Sequence, residues 1–125
     1  MSAASFRAAV ESRDLDAAVA LFAQDVVFNS PVVHAPYVGR EALRMILGGV
    51  LVVFEDFRYT AEYSGPDGHV LEFACRVGRF DLQGVDILRG GEPFTELTVL
   101  VRPYSAATAL RERMAELLAG HPAAP

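Results

Sequence analysis

Asp86 is the residue of this sequence whose surroundings best suit proton-transfer chemistry. It lies in the segment Gly84-Val-Asp-Ile-Leu88, and strand periodicity places its side chain on one face with Gly84 and Leu88. If that face is apolar, desolvation raises the pKa of the carboxyl group, because burial disfavours its charged form. Such a group could donate a proton near neutral pH, which suits an isomerisation or an aldol-type ring closure. The alternative is an Asp on the outer face that pairs with Arg89 or Arg102.

His34 is the second candidate for a catalytic residue. It lies in a loop that also holds Pro31 and Pro36, and a histidine there could act as a base or orient Asp86. A loop histidine hydrogen-bonded to backbone or water is the simpler interpretation of one His in a proline-rich loop. The sequence leaves both interpretations open.

Three tyrosines could present hydroxyl groups at the rim of a pocket: Tyr37, Tyr59 and Tyr63. Aromatic residues of this kind more often cover a half-buried sheet.

Residue types and charge exclude several other chemistries. All 11 cationic residues are Arg, so Schiff-base formation by Lys and a P-loop lysine are excluded. The three histidines His34, His69 and His121 are far apart and have no partner at a metal-ligand spacing, so we expect no metal and no cofactor. The net charge is −5 and there is no basic run, which argues against a nucleic-acid partner.

Length and cysteine content favour one cytoplasmic domain. The 125 residues suffice for a single domain over residues 1–119, and the tail 120–125 lacks periodicity and is expected to be frayed. Cys75 is the only cysteine, which is typical of a reduced, cytoplasmic protein. The uncharged stretch from Met45 to Phe54 is about half as long as a bilayer span, so no membrane segment is predicted.

The spacing of apolar residues predicts helices first and strands afterwards. Helical repeats begin at Phe6, after the capping Asp14, and after Gly39, with a short strand over 25–30 and a loop over 31–37. Gly48 and Gly49 could end the third helix early or allow something to pack close to it.

From Glu55 onwards the period changes to two. The turn signals Gly65-Pro-Asp-Gly68 and Gly90-Gly91 separate strands, and Leu110, Met114, Leu117 and Leu118 mark a closing helix. Helices followed by hairpin-connected strands predict an α+β fold with an antiparallel sheet. A curved sheet covered by helices often leaves a pocket between the two layers.

Three segments carry a resemblance to a known superfamily. The run from Phe6 to Pro31, the glycine at Gly39, and the strands over 84–91 and 94–103 resemble the nuclear transport factor 2-like superfamily. The likeness covers most of residues 5–103 and is closest to the branch of ketosteroid isomerases and SnoaL-like polyketide cyclases. It implies a cone-shaped α+β barrel, in which a curved antiparallel sheet wraps on the N-terminal helices around an apolar cavity. It also implies a hydrophobic small-molecule ligand and a homodimer through the outer sheet face.

The resemblance transfers catalytic roles only in part. Ketosteroid isomerases use an Asp base with an oxyanion hole of one Tyr and one protonated Asp. Ser30 stands at the position of the base, and a hydroxyl group cannot act as a carboxylate base at neutral pH. Phe6 stands at the position of the oxyanion tyrosine. Asp86 matches the oxyanion aspartate, and it also lies where SnoaL-like cyclases carry a carboxylate acid/base.

The expected site combines these assignments. The catalytic candidates are Asp86 and His34, and the expected cavity lining comprises Ser30, Phe6, Phe22, Leu47, Leu71, Phe73 and Val99. The favoured function is a small cofactor-free acid/base enzyme, of the isomerase or cyclase type, for a hydrophobic ring or polyketide-like carbonyl compound. The alternatives are a non-catalytic protein that binds a hydrophobic ligand and a structural dimer whose cone is filled by its own side chains.

Overall fold

A computed structural model describes residues 3–119 of the chain, so the tail predicted to be frayed lies outside the described residues. In this range the elements are α1 (Ala3–Glu11), α2 (Leu15–Ala20), β1 (Phe22–Asn29), β2 (Tyr37–Val38), α3 (Arg40–Val53), β3 (Glu55–Gly65), β4 (Gly68–Val77), β5 (Phe80–Gly90), β6 (Phe94–Arg102) and α4 (Tyr104–Leu117). None of the helices in this part of the chain is long and apolar enough to cross a membrane.

The strands of residues 3–119 form one six-stranded sheet in the order β2-β1-β6-β5-β4-β3. Neighbouring strands are antiparallel except β1 and β6, which run parallel. The predicted α+β class is therefore confirmed, with one parallel pairing that the prediction of an antiparallel sheet did not contain. That pairing brings the first strand of the chain beside the last. Helix α3, which contacts β1, and helix α4, which contacts β6, therefore cover neighbouring strands of one sheet.

The first two helices follow the predicted signals. The Asp14 side chain accepts a hydrogen bond from the Ala17 N–H at 3.1 Å and caps α2. The next strand begins at Phe22, earlier than the predicted start at Asp25. The reason is packing: the ring of Phe22 lies between Phe6 and Phe94, with both centroid distances at 5.7 Å.

The glycine pair in α3 permits close packing and does not end the helix. The helix continues through Gly48 and Gly49 to Val53. A Cβ atom at Gly49 would lie 2.9 Å from Cε of Met114, which belongs to α4. The missing side chain therefore lets α4 approach α3 closely.

The apolar face of the sheet is its inner, helix-covered face. On β4 the predicted alternation is confirmed, since Leu71, Phe73, Cys75 and Val77 are buried. Helix α1 contacts β4, α3 contacts β1, and α4 contacts β5 and β6. The predicted turn is also confirmed, because β3 ends at Gly65 and β4 begins at Gly68. The short strand β2 was not predicted; it pairs with β1 and begins at Tyr37, the last residue of the segment expected to be a loop.

Candidate active site

Asp86 lies in the middle of the sheet, on its inner face. Its direct neighbours across the two flanking strands are Leu71 on β4 and Val99 on β6. Asp86 is 8% exposed and therefore buried, whereas the other charged residues within 3–119 are at least partly exposed. The alternative of an outer-face Asp paired with Arg89 or Arg102 is therefore wrong: Arg89 pairs with Glu96, and Arg102 donates to Gln83.

Tyr59 supplies a hydrogen bond to this carboxyl group. The Tyr59 O–H donates to Oδ2 of Asp86 at 2.9 Å. Among residues 3–119 no other donor contacts the Asp86 side chain. Because Asp86 also lines the cavity, its remaining hydrogen-bonding capacity is available to a ligand.

Gly84 makes room for the side chains that surround this pair. It lies directly opposite Phe73, and a Cβ atom at Gly84 would lie 2.4 Å from Cζ of that ring. The ring of Phe73 therefore leans over the glycine and packs against Phe54 and Phe57, with centroid distances of 5.7 and 5.0 Å. The ring of Tyr59 completes this aromatic wall. Its centroid lies 4.9 Å from that of Phe57, and the two ring planes are perpendicular.

Burial controls the protonation of the pair. Desolvation raises the pKa of Asp86 from its ordinary value of 3.8 to about 7, and the hydrogen bond from Tyr59 opposes this rise. The pKa of Tyr59 is raised far above its ordinary range, first by burial and then by the negative charge of Asp86. Near neutral pH, Tyr59 is therefore a neutral donor, while Asp86 exists in both protonation states.

The inner face of the sheet and the helices enclose a cavity of about 550 Å³. Apart from Asp86, five of the residues expected to line it do so: Phe6, Ser30, Leu47, Phe73 and Val99. Phe22 and Leu71 lie outside the lining and are fully buried in the core. Phe22 lies behind Phe6, whose ring it contacts edge to face.

The structure does not bring His34 to the cavity. Its side chain is exposed on the loop before β2, it is absent from the lining, and no hydrogen bond joins it to Asp86. Ser30 does line the cavity, and its Oγ accepts a hydrogen bond from the Val32 N–H at 3.1 Å. In the described residues no group of His, Cys, Asp and Glu could hold a metal ion.

Two parts of the site were missed by sequence reasoning. The contact between Tyr59 and Asp86 depends on the pairing of three strands and on an irregular register between β3 and β4, which one sequence does not reveal. The period-two alternation did predict that Tyr59 shares a face of β3 with Phe57, and Tyr59 is buried on that face. The other missed part is α4, whose apolar residues were predicted but not as cavity lining. It contributes Leu110, Met114 and the charged Arg111, and Leu118 lines the cavity directly after its C-terminal end.

Comparison with known proteins places the chain in a family. The model of the SnoaL-like domain matches residues 3–102. The chain is similar to a steroid delta-isomerase from Pseudomonas aeruginosa, at 38% identity and a TM-score of 0.88, over 94% of this chain and 89% of that one. It is also similar to an uncharacterized protein with a cystatin-like fold from Silicibacter pomeroyi, at 32% identity and a TM-score of 0.88, over 94% and 85% of the two chains.

More distant structures share the fold alone. A protein from Shewanella denitrificans described as a SnoaL-like polyketide cyclase aligns at 16% identity and a TM-score of 0.66, over 88% of this chain and 94% of that one. A search of curated proteins finds no match. The predicted resemblance is confirmed, because the family match extends over most of the chain and the similar structures have the same curved sheet and helices. The chain therefore belongs to the family of SnoaL-like domains, within the nuclear transport factor 2-like and ketosteroid isomerase-like folds.

Proposed function

We propose that this protein is a cofactor-free acid/base enzyme, of the isomerase or cyclase type, that acts on a hydrophobic carbonyl compound in the cavity. The observation that carries this proposal is the buried carboxyl group of Asp86 on the wall of an apolar cavity, held by Tyr59 at 2.9 Å. A carboxyl group whose pKa is about 7 can give and take a proton at neutral pH.

The proposed step is proton donation to the carbonyl oxygen of the ligand. Tyr59 occupies Oδ2 of Asp86, so the acidic proton of the neutral carboxyl group is carried on the other oxygen, Oδ1. As electrons move onto the carbonyl oxygen during enol formation or ring closure, the Oδ1–H bond breaks and an O–H bond forms on the ligand. The Tyr59 hydrogen bond then stabilises the carboxylate that remains, and solvent or the product returns the proton.

The lining supports acid catalysis more than the ketosteroid isomerase arrangement. That arrangement needs a second carboxylate and a tyrosine that faces the ligand, and by the resemblance Ser30 and Phe6, which both line the cavity, stand at those positions. Phe6 has no hydrogen to donate, and Tyr59 directs its own to Asp86. Proton removal from carbon is therefore assigned to water or to a group of the substrate itself.

A binding protein without turnover is the second candidate function. It is favoured by the predominantly apolar lining, in which Asp86 could simply anchor a polar end of the ligand. The structural-dimer alternative receives less support, since a cavity of about 550 Å³ exceeds the roughly 300 Å³ that marks the small end of ligand pockets.

Hydrogen–deuterium exchange at the α-carbon of a ketone tests the proposal without knowledge of the natural substrate. Purified protein is incubated in D₂O with 2-tetralone or with a Δ5-3-ketosteroid, and exchange is followed by NMR. Wild type is expected to accelerate exchange, and Asp86→Asn to reduce the acceleration by at least about a hundredfold. The control is Asp81→Asn, which removes an exposed carboxyl group from the same strand.

Ketone binding, measured by calorimetry, separates the two candidate functions. Asp86→Asn should retain wild-type affinity within about threefold, because the asparagine amide still donates and accepts hydrogen bonds. Full exchange activity in Asp86→Asn would refute the assignment of this carboxyl group as the acid. Tight ketone binding by wild type with exchange no faster than in buffer would favour the binding protein.

A further inference from the structure

Five charged side chains of the described residues line the cavity together with Asp86: Glu11, Arg13, Asp14, Asp56 and Arg111. All five are exposed, whereas Asp86 is buried. Being exposed, they lie on the solvent-facing side of the cavity lining, and we call them the rim charges. Their pairing decides which charge a ligand meets there.

The three acidic rim charges are already engaged by the protein. Glu11 forms an ion pair with Arg7 at 3.2 Å. Asp56 forms one with Arg76 at 2.6 Å. Asp14 accepts the capping hydrogen bond of α2 from the Ala17 N–H at 3.1 Å. These contacts reduce the negative potential that the acids present to a ligand.

The two cationic rim charges have no acidic partner within residues 3–119. The Arg13 guanidinium donates to the Leu51 carbonyl oxygen, which holds the side chain but leaves its charge uncompensated. Arg111 makes no hydrogen bond or ion pair with any residue in the described part of the chain, although it lies on α4 against the cavity. Its guanidinium group retains its full set of N–H donors.

We propose that the ligand of this cavity is an amphipathic carbonyl compound whose carboxylate binds the Arg111 guanidinium on the solvent-facing side of the lining while its carbonyl oxygen faces Asp86. The fork of N–H groups on arginine matches the two oxygens of a carboxylate. A carboxylate carries one negative charge, which the single positive charge of Arg111 balances, whereas a phosphate dianion would keep one charge unbalanced. The carbonyl end of this inference rests on the proposed function, whereas the carboxylate end rests on the rim charges alone.

A series of aryl ketones with a carboxylate on a flexible chain tests this inference. The probes are ω-(2-naphthoyl)alkanoates with chains of different length, each compared with its own methyl ester, and dissociation constants are measured by calorimetry. Wild type is expected to bind the carboxylate of best-fitting length about threefold more tightly than its ester, as for a charge-assisted ion pair at an exposed site. The preference should weaken at high salt.

Two variants that each remove one arginine distinguish a direct contact with the ligand from an effect of the protein's net charge. Arg111→Gln should lower the preference for carboxylate over ester to about one. Arg113→Gln removes the same charge from an exposed position of α4 outside the lining, and should leave the preference unchanged. Equal losses in both variants would reduce the effect to net charge and overturn the inference.

The remaining outcomes distinguish this inference from the proposed function. If acids and esters bind wild type equally, or if Arg111→Gln keeps the preference, the carboxylate assignment is refuted while ketone exchange by Asp86 stands. If Asp86→Asn keeps the carboxylate preference but ketone exchange never exceeds the buffer rate, the carboxylate assignment stands and the enzymatic proposal fails. If no probe of any chain length binds, the carboxylate assignment is refuted, and the exchange experiment alone decides the proposed function.

Discussion

The pH dependence of stability in Asp86→Asn tests the central electrostatic argument directly. Burial raises the pKa of Asp86 to about 7 in the folded protein, against 3.8 ordinarily, so the folded state binds more protons than the unfolded state between these values. Stability contributed by the neutral carboxyl group is therefore present at low pH and is lost as the pH rises through this window. A difference of about three between the two pKa values corresponds to about 4 kcal/mol.

The assay compares urea unfolding of wild type and Asp86→Asn at several pH values. Asparagine cannot ionise, but its amide oxygen can still accept the Tyr59 hydrogen bond. The stability of the variant relative to wild type should therefore rise by about 3 kcal/mol between about pH 5 and about pH 8. Taking the difference between the two proteins cancels the titration of all other groups.

The matched variant Asp81→Asn is expected to show no comparable rise, because that side chain is exposed on the same strand. A relative stability of Asp86→Asn that is flat with pH would show that the carboxyl group titrates alike in the folded and unfolded chains. It would then have no claim to be a proton donor at neutral pH, and the desolvation argument would be refuted.

Three further predictions concern the neighbours of Asp86 and the outer face. Tyr59→Phe removes the hydrogen bond that lowers the pKa of Asp86, so NMR titration should give a higher pKa than in wild type; a lower one would contradict the assigned contact. Gly84→Val should lose about 1 to 3 kcal/mol in urea unfolding, since its Cβ would lie 2.4 Å from the ring of Phe73, and an unchanged midpoint would count against this packing. We expect a homodimer through the outer sheet face, where Leu100 is 53% exposed; sedimentation at micromolar concentration should show a dimer for wild type and a monomer for Leu100→Glu, and a wild-type monomer would contradict the expectation.

Much of the fold could be predicted because local patterns and tertiary packing agree. The cap at Asp14, the turn at Gly65–Gly68 and the alternation along β4 each depend on a few neighbouring residues. The start of β1 was less predictable because the burial of Phe22 between two other aromatic rings is a long-range contact. The parallel pairing of β1 with β6 is equally non-local, since it joins the two ends of the fold.

The candidate site could be predicted only where a residue's role follows from its own strand. The inner position of Asp86 follows from strand parity, but the donor that contacts it comes from β3 and reaches across β4. His34 illustrates the opposite error. A position in a loop expected near the cavity does not determine where the side chain points. The side chain of His34 is exposed. Phe22 and Leu71 are fully buried in the core and lie outside the cavity lining.

The energetic cost of Asp86 is itself an argument for a role in function. At neutral pH a cost of about 4 kcal/mol is a large fraction of the 5 to 15 kcal/mol by which a domain is usually stable. The packing of the sheet asks only for a hydrogen-bond acceptor here, because Leu71 and Val99 beside it are apolar and Tyr59 donates its O–H to this side chain. An asparagine would accept the Tyr59 hydrogen bond without the cost of burying an ionisable group. A costly acid on a cavity wall, with one oxygen held by Tyr59 and the other available to a ligand, is what the proposed acid catalysis requires.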